Sequence, residues 1–437
     1  MNFESLAKLL SGIDQKAVFL RFNPEIMDIA EKDLENELQF MLSDGVSFQV
    51  MIRDDTLPLI LSMLQLSLFS KDKKVFTWNW KNFSSYVLCK TGKSLDIKAS
   101  IIDIKILESF SGIKKVAPVS FVEAMNRIKH LVSSGLWKES ENIYRKIHLP
   151  LMTTVLPHLE SVGILDVERA AKVHAYYEID GQENGRLRCH GAYKKSFVPH
   201  TMGSDLKDVL KPIGCDNLFM SFDFKGMEVF VLANSSQDSK LLRLCECDDI
   251  YSALFQVLMS SDPEKNDREL AKKCFLPVIY GQSARSLSLR CGLAADVAEK
   301  VVERISSLFP TAISFVADCE SKVKKDGYAK DIFGKRRTNF EVGKEYLARN
   351  FAVQSPAATI CLEKLIKLYF ALEGKAQIAY TVHDGYVIYV TKDNWKQIFK
   401  KSMDALTSES ELCPKLRLKV SCRGGRNLND LKVIKTS

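Results

Sequence analysis

The chain has 437 residues, 46% hydrophobic and 27% charged, a balance typical of globular proteins with two or three domains and unlike that of disordered or fibrous chains. The net charge of +8 favours a polyanionic partner. Between Lys265 and Arg349, 17 Lys and Arg stand against 11 Asp and Glu, so much of the excess positive charge lies in one region.

The cysteines and the apolar stretches indicate the cellular compartment of the protein. Eleven cysteines, an odd number without a Cys-x-x-Cys pair, are typical of reduced thiols. The N-terminus MNFESLAKLLSGIDQK has an early Glu and no long apolar core, unlike a secretory signal. The longest apolar stretch, 56–69, falls short of the ~20 residues that cross a bilayer. We therefore expect a soluble intracellular protein without a membrane partner.

In chain order, the first 110 residues alternate strand-like runs (KAVFLRF, VSFQVMI and KKVFTW) with helical patterns, which predicts a small α/β domain. Within it, EIMDIAEKDLENELQFML has the periodicity of a charged helix face that carries Asp33 and Glu35. The sequence from Pro118 to about Ala175 has mostly helical patterns. A strand at 218–223, a long helical region with one break at Asp326-Gly327, and a hairpin at 378–390 follow.

The hairpin sequence IAYTVHDGYVIYV predicts a tight turn at Asp384-Gly385, because both residue types tolerate positive φ. Taken alone, this pattern needs no function. The strand LFMSFDF, however, ends near a second acid, Asp223, and a strand end is a rigid place for a metal ligand. If the strand lies beside the hairpin, the two carboxylates converge. Mg²⁺ binds through one or two carboxylates plus phosphates, so the pair predicts a metal site.

The segment RELAKKCFLPVIYG places Arg268, Lys272, Leu276 and Tyr280 four residues apart, on one face of a helix. The two cations can clamp phosphates and the tyrosine offers a flat surface to a base. An exposed charged face explains the stretch equally well by itself. The order of acid strand, basic helix and acid hairpin favours phosphate chemistry.

These motifs resemble those of the family A DNA polymerases, the bacterial DNA polymerase I group. DFKGMEVFVLA is similar to the family's first polymerase motif, RELAKKCFLPVIYG to its second and VHDGYVIYV to its third. KKDGYAKDIFGKRR, NFAVQSPAATI, NGRL and HLPLMTTVLPHLESVGILD add further similarity, which runs from about residue 144 to the end. The resemblance implies an α+β right-hand polymerase fold with an antiparallel palm sheet, helical fingers and a minimal thumb, preceded by an α/β RNase H-like exonuclease-type domain.

The resemblance also implies a division of the chain. Residues 1–115 would form a degenerate 3′–5′ exonuclease-like domain and 116–143 a helical linker. Residues 144–240 would begin the palm and carry the vestigial thumb at about 166–184. Fingers at 241–345 and the rest of the palm at 346–437 would complete the fold.

The implied activity is template-directed addition of dNTPs to a primer 3′ end. Asp223, the Phe224 carbonyl and Asp384 would hold two Mg²⁺ ions, for which Mn²⁺ can substitute, and Lys272 would be the third catalytic residue. The nucleotide-binding residues implied are Arg268, Lys272, Leu276, Tyr280 and Glu228, the last a steric gate against a ribose 2′-hydroxyl. The DNA-binding residues implied are Arg186, Asn350, Gln354, His383, Arg336 and Arg337.

Several positions depart from the family pattern. Gly385 replaces the acid usual after His-Asp, and Leu276 replaces an aromatic residue near the incoming nucleotide. Only 18 positions separate Asp166 from Asn184 where the thumb belongs, so we expect the thumb to be missing or reduced to one helix, VERAAKVHAYYE. We therefore expect weak processivity and reliance on a partner such as a processivity factor, helicase or primase.

The N-terminal region resembles a decayed proofreading domain. Phe83 stands where the family has a metal-binding Asp, and Asn23 stands in place of the first acid. Glu25 and Asp103 are the remaining candidate ligands. Because a two-metal site that has lost two carboxylates should not hydrolyse DNA, we expect no 3′–5′ exonuclease activity.

Two other functions fit parts of the pattern. A single-subunit RNA polymerase shares the basic helix and the His-Asp hairpin, but a ribonucleotide enzyme has no use for Glu228. A non-catalytic nucleic-acid-binding protein on a polymerase scaffold would not need both metal acids. The compact chain indicates a mobile replicon in the cytoplasm of a prokaryotic or infected host cell.

Overall fold

The computed structural model describes residues 18–23, 36–42, 47–52, 57–67, 74–95, 97, 99–113, 116–179, 181–190, 197–214, 216–258 and 267–434. Helices and several separate sheets share these residues, which confirms the predicted α+β class. No helix in the described parts of the chain combines the length and the apolar character that crossing a bilayer requires.

The N-terminal part is built on a five-stranded sheet in the order β3-β2-β1-β4-β5. Its strands are β1 (Val18–Asn23), β2 (Asn36–Leu42), β3 (Ser47–Ile52), β4 (Lys74–Trp78) and β5 (Ser100–Asp103). β1, β2 and β3 are antiparallel, whereas β4 runs parallel to both β1 and β5. Helices α1 (Leu57–Ser67), α2 (Trp80–Thr91) and α3 (Ile104–Phe110) accompany the sheet.

The prediction of a helix through EIMDIAEKDLENELQFML is wrong where the structure describes it, because Asn36–Leu42 is strand β2. This strand pairs with β1 on one side and β3 on the other, and Leu38 and Phe40 on one face are buried. Pairing on both sides and the burial of these apolar side chains in the sheet outweigh the local helical periodicity. Asp33 and Glu35 lie outside the described residues.

A helical column links this sheet to the rest of the molecule. It consists of α4 (Phe121–Ser133), α5 (Leu136–Ile143), two π-helical stretches at Tyr144–His148 and Leu151–Val155, and α6 (Leu156–Val162). Pro150 between the π-helical stretches has no N–H, which disfavours regular α-helical bonding there. The buried Tyr144 hydroxyl donates to the Ile101 carbonyl at 3.1 Å and accepts from the Asp103 N–H at 2.7 Å. The column is thereby anchored to β5.

The single helix predicted for VERAAKVHAYYE is also wrong. The segment follows β6 (Ile164–Asp166), turns at 167–170 and continues as β7 (Ala171–Val173) and β8 (Tyr176–Glu178). β8 pairs with β9 (Arg188–His190), and β6 also pairs with the two-residue β10 (Leu210–Lys211). β9 lies outside the segment, so pairing between elements overrides the local helical pattern. Two small hairpins therefore occupy the described residues between α6 and the 3₁₀ turn at Pro199–Thr201.

The C-terminal half contains a second five-stranded sheet, entirely antiparallel, in the order β14-β15-β11-β16-β17. Its strands are β11 (Asn217–Phe224), β14 (Ala376–Val382), β15 (Gly385–Thr391), β16 (Val420–Gly425) and β17 (Lys432–Val433). The predicted strand and hairpin are thus confirmed as neighbours. Helices α8 (Met227–Ser236), α15 (Leu347–Leu372) and α16 (Trp395–Thr407) accompany this sheet, and α7 (Ser204–Val209) precedes it.

In the long helical region, α15 follows the expected break, and seven helices precede it among the described residues. They are α8, α9 (Ser239–Cys245), α10 (Ile250–Leu258), α11 (Arg268–Ile279), α12 (Ala284–Cys291), α13 (Ala295–Leu308) and α14 (Pro310–Asp326). The expected break is confirmed, because Gly327 ends α14 with a φ of +77°. A two-stranded ribbon, β12 (Ala329–Lys330) with β13 (Arg336–Arg337), follows it.

Candidate active site

The two predicted acids come together at the edge where β11 meets β15. Asp223 is opposite Gly385 in the antiparallel register, and Asp384 is the residue just before that partner. The turn itself differs from the prediction: Val382 pairs with Gly385, so the two loop residues are His383 and Asp384. His383 takes the positive φ of 50°, and Gly385 already belongs to the strand. The loop thereby presents the Asp384 carboxylate beside Asp223.

Burial dominates the electrostatics of this pair. Burial, reinforced by the charge of Asp384, raises the pKa of Asp223 to about 6. Lys272, Arg423 and Arg268 act in the opposite direction, in that order. Burial also raises the pKa of Asp384. Two carboxylates in such a place are held ionised most effectively by a cation.

The donor set fits magnesium. Asp223 and Asp384 supply carboxylate oxygens, and the backbone carbonyl of Phe224 follows Asp223 directly. Among the described residues, no group of three or more His, Cys, Asp or Glu is placed to hold a metal. Mg²⁺ suits a site with few protein ligands, because it retains waters and takes phosphate oxygens from a substrate.

The acids lie in a cleft of about 1100 Å³ between the C-terminal sheet and the helices that follow β11. The predicted residues that line it are Arg186, Asp223, Phe224, Glu228, Arg268, Lys272, Leu276, Tyr280, Asn350, Gln354, His383 and Asp384. A volume of this size admits a nucleotide. The tertiary structure thus gathers most of the sequence-predicted residues around one cavity.

Glu228, at the start of α8, is held from two sides. Arg186 Nη2 donates to its Oε1 at 2.9 Å, and the Tyr280 hydroxyl donates to its Oε2 at 2.8 Å. The Arg186 backbone N–H in turn donates to the Asn184 side-chain oxygen at 3.2 Å. The position of this carboxylate is therefore set by the loop before β9 and by the end of α11.

Helix α11 forms the basic wall of the cleft. Its N-cap Asp267 accepts from the Leu270 N–H at 2.9 Å, and Tyr280 follows its last residue. Arg268 Nε donates to Asp249 at 2.7 Å, and its guanidinium lies 5.3 Å from the centroid of the Tyr251 ring. Lys272 is exposed and makes no ion pair or hydrogen bond with the described residues. Arg268 is thus paired with Asp249, whereas Lys272 is available to a ligand.

His383 and two α15 residues form the side of the cleft next to Asp384. The His383 ring stacks on His200 at a centroid distance of 5.9 Å. Burial, followed by the charge of Arg186, lowers the pKa of His383, which favours the neutral imidazole. Gln354 accepts from the Asn184 amide at 3.4 Å, and both it and Asn350 also line a neighbouring cleft of about 600 Å³.

Arg336 and Arg337, predicted to bind DNA, lie outside the main cleft. Arg337 lines the neighbouring cleft, pairs with Glu183 at 2.7 Å and lies over the Phe340 ring. Arg336 pairs with Glu139 of α5 at 2.9 Å. The structure therefore separates these two arginines from the acids, and it separates them from each other.

Sequence reasoning missed several cleft residues. Asp249 and Tyr251 position Arg268, and Asn184 contacts both Arg186 and Gln354. Asp249 accepts from the N–H groups of 251 and 252 at 3.0 Å, so a helix-capping pattern was the available signal for it. Arg423 on β16 also lines the cleft, and no local pattern indicates it.

The N-terminal sheet carries no comparable acid cluster among its described residues. Phe83 is buried and its ring contacts Phe22 of β1, with centroids 5.4 Å apart. Asp103 caps α3 by accepting from the Lys105 N–H, and it also accepts from the Trp80 N–H at 2.8 Å. Burial raises the pKa of Asp103 to about 6. Glu25 lies outside the described residues, as does the side chain of Asn23.

Comparison with known proteins agrees with this geometry. DNA polymerase theta of Caenorhabditis elegans is 25% identical over 328 residues, which is 70% of this chain and 19% of that protein. DNA polymerase I of Chloroflexus aurantiacus is 23% identical over 268 residues, 57% of this chain and 28% of that protein. The chain thus spans less than a third of the length of these relatives.

A solved structure shares the fold. The POL domain of Pol1 from M. smegmatis, in complex with DNA primer-template and dNTP, matches with a TM-score of 0.74 and 15% identity over 98% of each chain. The match confirms the right-hand polymerase fold. The family model for DNA polymerase family A matches residues 140–430, two thirds of the chain and all of the acid-bearing cleft. The chain therefore belongs to DNA polymerase family A.

Proposed function

We infer that the protein is a template-directed DNA polymerase that adds dNTPs to the 3′ end of a primer. One observation carries this function: Asp223 and Asp384 meet across β11 and β15, opposite the basic helix α11. An acid pair facing a cationic wall suits a reaction in which a metal-bound triphosphate meets a hydroxyl. The M. smegmatis domain that shares the fold was solved with DNA primer-template and dNTP, which supports the same ligands here.

Asp223, Asp384 and the Phe224 carbonyl would hold two Mg²⁺ ions, for which Mn²⁺ can substitute. When bound, the metal supplies Lewis-acid stabilisation of the attacking and leaving oxygens. The primer 3′ hydroxyl gives its proton to solvent water and its oxygen bonds to the α-phosphorus, while the bond from that phosphorus to the bridging oxygen breaks. Pyrophosphate leaves with the electron pair, and Lys272 donates a proton to it.

The cleft also accounts for nucleotide choice. Arg268 and Lys272 bind the triphosphate, and Leu276 packs against the incoming nucleotide. Glu228, fixed by Arg186 and Tyr280, is the steric gate that crowds a ribose 2′-hydroxyl. Tyr280 guards the templating position at the end of α11.

DNA would occupy the adjoining surfaces. His383 seats the primer end beside Asp384, and Arg186, Asn350 and Gln354 contact groups that all correct base pairs share. Arg337 lines the neighbouring cleft together with Asn350 and Gln354, so we assign it to the duplex backbone. We assign Arg336 to a DNA contact farther from the acids, next to α5.

We further propose that residues 1–115 form an exonuclease-like domain without proofreading activity. Phe83 and Phe22 pack where a metal ligand would have to stand, and Asp103 is committed to capping α3. An aromatic contact leaves no oxygen for a metal ion. Incubation with a 3′-labelled primer should release no mononucleotides. Release that Glu25→Ala abolishes would contradict this proposal.

The remaining domain assignment keeps 116–143 as a helical linker, 144–240 as the first part of the palm, 241–345 as fingers and 346–437 as the rest of the palm. The described residues of the vestigial thumb at 166–184 form turns and short strands in place of the predicted helix. So small an element offers little surface for binding duplex DNA. This supports dependence on a processivity factor, helicase or primase. Long products from the isolated chain under single-hit conditions would refute that dependence.

A primer-extension assay with Mg²⁺ tests the main proposal. The wild-type chain should extend the primer, and Asp384→Asn should slow extension by about three orders of magnitude because one metal ligand is lost. Equal extension by both would reject the catalytic role of Asp384, whereas no extension by either would favour a non-catalytic nucleic-acid-binding protein. Faster use of rNTPs than dNTPs would favour an RNA polymerase. We place the reaction inside the cell, where its DNA and dNTP substrates are.

A further inference from the structure

Arg423 occupies a position next to the acid pair that the proposed roles leave unassigned. β16 pairs with β11 so that Ser421 is opposite Asp223 and Arg423 is opposite Ser221. Side chains two residues apart on a strand share a face, so Arg423 and Asp223 emerge on the same side of the sheet. Diagonal neighbours of this kind lie roughly 7–8 Å apart, within reach of a long side chain.

The Arg423 guanidinium is available to a ligand. Arg268 is engaged by Asp249 at 2.7 Å, and Arg186 is engaged by Glu228 at 2.9 Å. Arg423 is exposed, lines the same cleft, and has no ion pair or side-chain hydrogen bond within the part of the chain that the structure describes. An unpaired arginine in a cleft built for phosphates is a ready anion contact.

The sheet order determines on which side of Asp223 the residue Arg423 lies. β11 lies between β15 and β16, so Asp384 and Arg423 flank Asp223 on opposite sides. The positive charge of Arg186 acts on Asp384, whereas those of Lys272, Arg423 and Arg268 act on Asp223. Arg423 thus lies across Asp223 from Asp384, and its charge acts on Asp223 together with the cations of α11.

Building on the polymerase function inferred above, we propose that Arg423 is a third cationic contact for the triphosphate of the incoming nucleotide. Its guanidinium binds oxygens of the β- and γ-phosphates and stays bound to the pyrophosphate that leaves with the electron pair of the broken bond. Arg423 transfers no proton, because an arginine stays protonated. It is a binding residue whose fork geometry matches two phosphate oxygens.

Kinetics with Arg423→Ala, Arg423→Lys and the control Arg426→Ala test this role. Arg426 is an exposed arginine of the same segment that does not line the cleft. Arg423→Ala should raise the KM for dNTP about tenfold, the loss of one charge-assisted contact, with the Kd for primer-template within about twofold of wild type. Arg423→Lys should recover part of the loss, because it keeps the charge but not the fork. Arg426→Ala should behave as wild type.

Direct binding separates this proposal from the polymerase function. Calorimetry with inorganic tripolyphosphate and Mg²⁺ should show weaker binding to Arg423→Ala than to wild type, whether or not the chain extends primers. If the wild-type chain fails to extend primers but still binds tripolyphosphate more tightly than Arg423→Ala does, the polymerase function is rejected. The role of Arg423 as a triphosphate contact then stands. If Arg423→Ala raises the Kd for primer-template and leaves the KM for dNTP unchanged, Arg423 contacts DNA and the proposal is overturned. Unchanged binding of tripolyphosphate by Arg423→Ala would also overturn it.

Discussion

The Tyr280 hydroxyl donates a hydrogen bond to Glu228 at 2.8 Å and so joins the end of α11 to the start of α8. Arg186 holds the other carboxylate oxygen. The side chain that faces the sugar in the proposed reaction is thus fixed before a nucleotide arrives. Such preorganisation lets a small group discriminate between substrates.

Shortening the proposed gate should weaken discrimination against rNTPs. Crowding a hydroxyl against a fixed carboxylate costs on the order of 1–3 kcal/mol, so Glu228→Ala should raise relative rNTP use roughly ten- to a hundredfold. Tyr280→Phe, which loses one hydrogen bond, should raise it about threefold. Competition between dNTP and rNTP in primer extension measures both. Glu228→Gln keeps the size and is the control; equal discrimination by Glu228→Ala and Glu228→Gln would contradict the steric role.

Releasing Arg268 should tighten nucleotide binding. In the proposed function it must leave Asp249 to bind a triphosphate, and the pair is part-exposed, at 36% and 29% of the side chains. Solvent screening limits such a pair to about 1 kcal/mol, so Asp249→Asn should lower the KM for dNTP two- to fivefold. Asparagine keeps the oxygen that caps α10.

The neighbouring acid provides the matched control for that experiment. Glu269 also pairs with Arg268, but its side chain is 64% exposed. Glu269→Gln should therefore change the KM for dNTP by less than about twofold. An unchanged KM in Asp249→Asn would indicate that Arg268 does not exchange partners.

The requirement for magnesium should increase at low pH. The pKa of Asp223 is raised to about 6, so below that pH the carboxyl is protonated and its proton must leave before a metal binds. At pH 5 about one tenth of the sites would be ionised, so the Mg²⁺ concentration for half-maximal extension should rise about tenfold from pH 7.5. Mg²⁺ titrations at the two pH values measure this. A requirement independent of pH would contradict it.

Breaking the buried network at Glu160 should destabilise the protein. This fully buried carboxylate accepts from Lys81 at 2.7 Å, from the Ser85 hydroxyl at 2.6 Å and from the Tyr177 N–H at 2.8 Å, so it joins α2, α6 and β8. Glu160→Gln leaves Lys81 without its counter-charge, and we expect a loss of about 3 kcal/mol in unfolding free energy, measured in urea.

An exposed ion pair provides the comparison for Glu160. Glu141 pairs with Arg145 one helical turn away at 2.9 Å, with 37% and 57% of the side chains exposed. Glu141→Gln should cost less than about 0.5 kcal/mol, because solvent screens the pair. Similar losses in the two variants would show that the Glu160 network contributes no more than a surface contact.

Local sequence determined much of the polymerase half of this protein. The alternating residues before Asp223 specify β11, the two apolar runs around Asp384 specify β14 and β15, and the four-residue spacing from Arg268 specifies one face of α11. Each pattern acts through neighbours within a few residues, so it can be read without the fold. The set of motifs also identified the candidate site residues.

Only the tertiary structure decided where long-range pairing overrides local preference. Asn36–Leu42 and the segment after Asp166 read as helices, yet both form strands because strands outside each segment pair with them. The partners of the charges were equally hidden: Asp249 engages Arg268, and Arg423 enters the cleft from β16. Such contacts join residues tens to hundreds of positions apart, and periodicity within one element carries no information about which elements become neighbours.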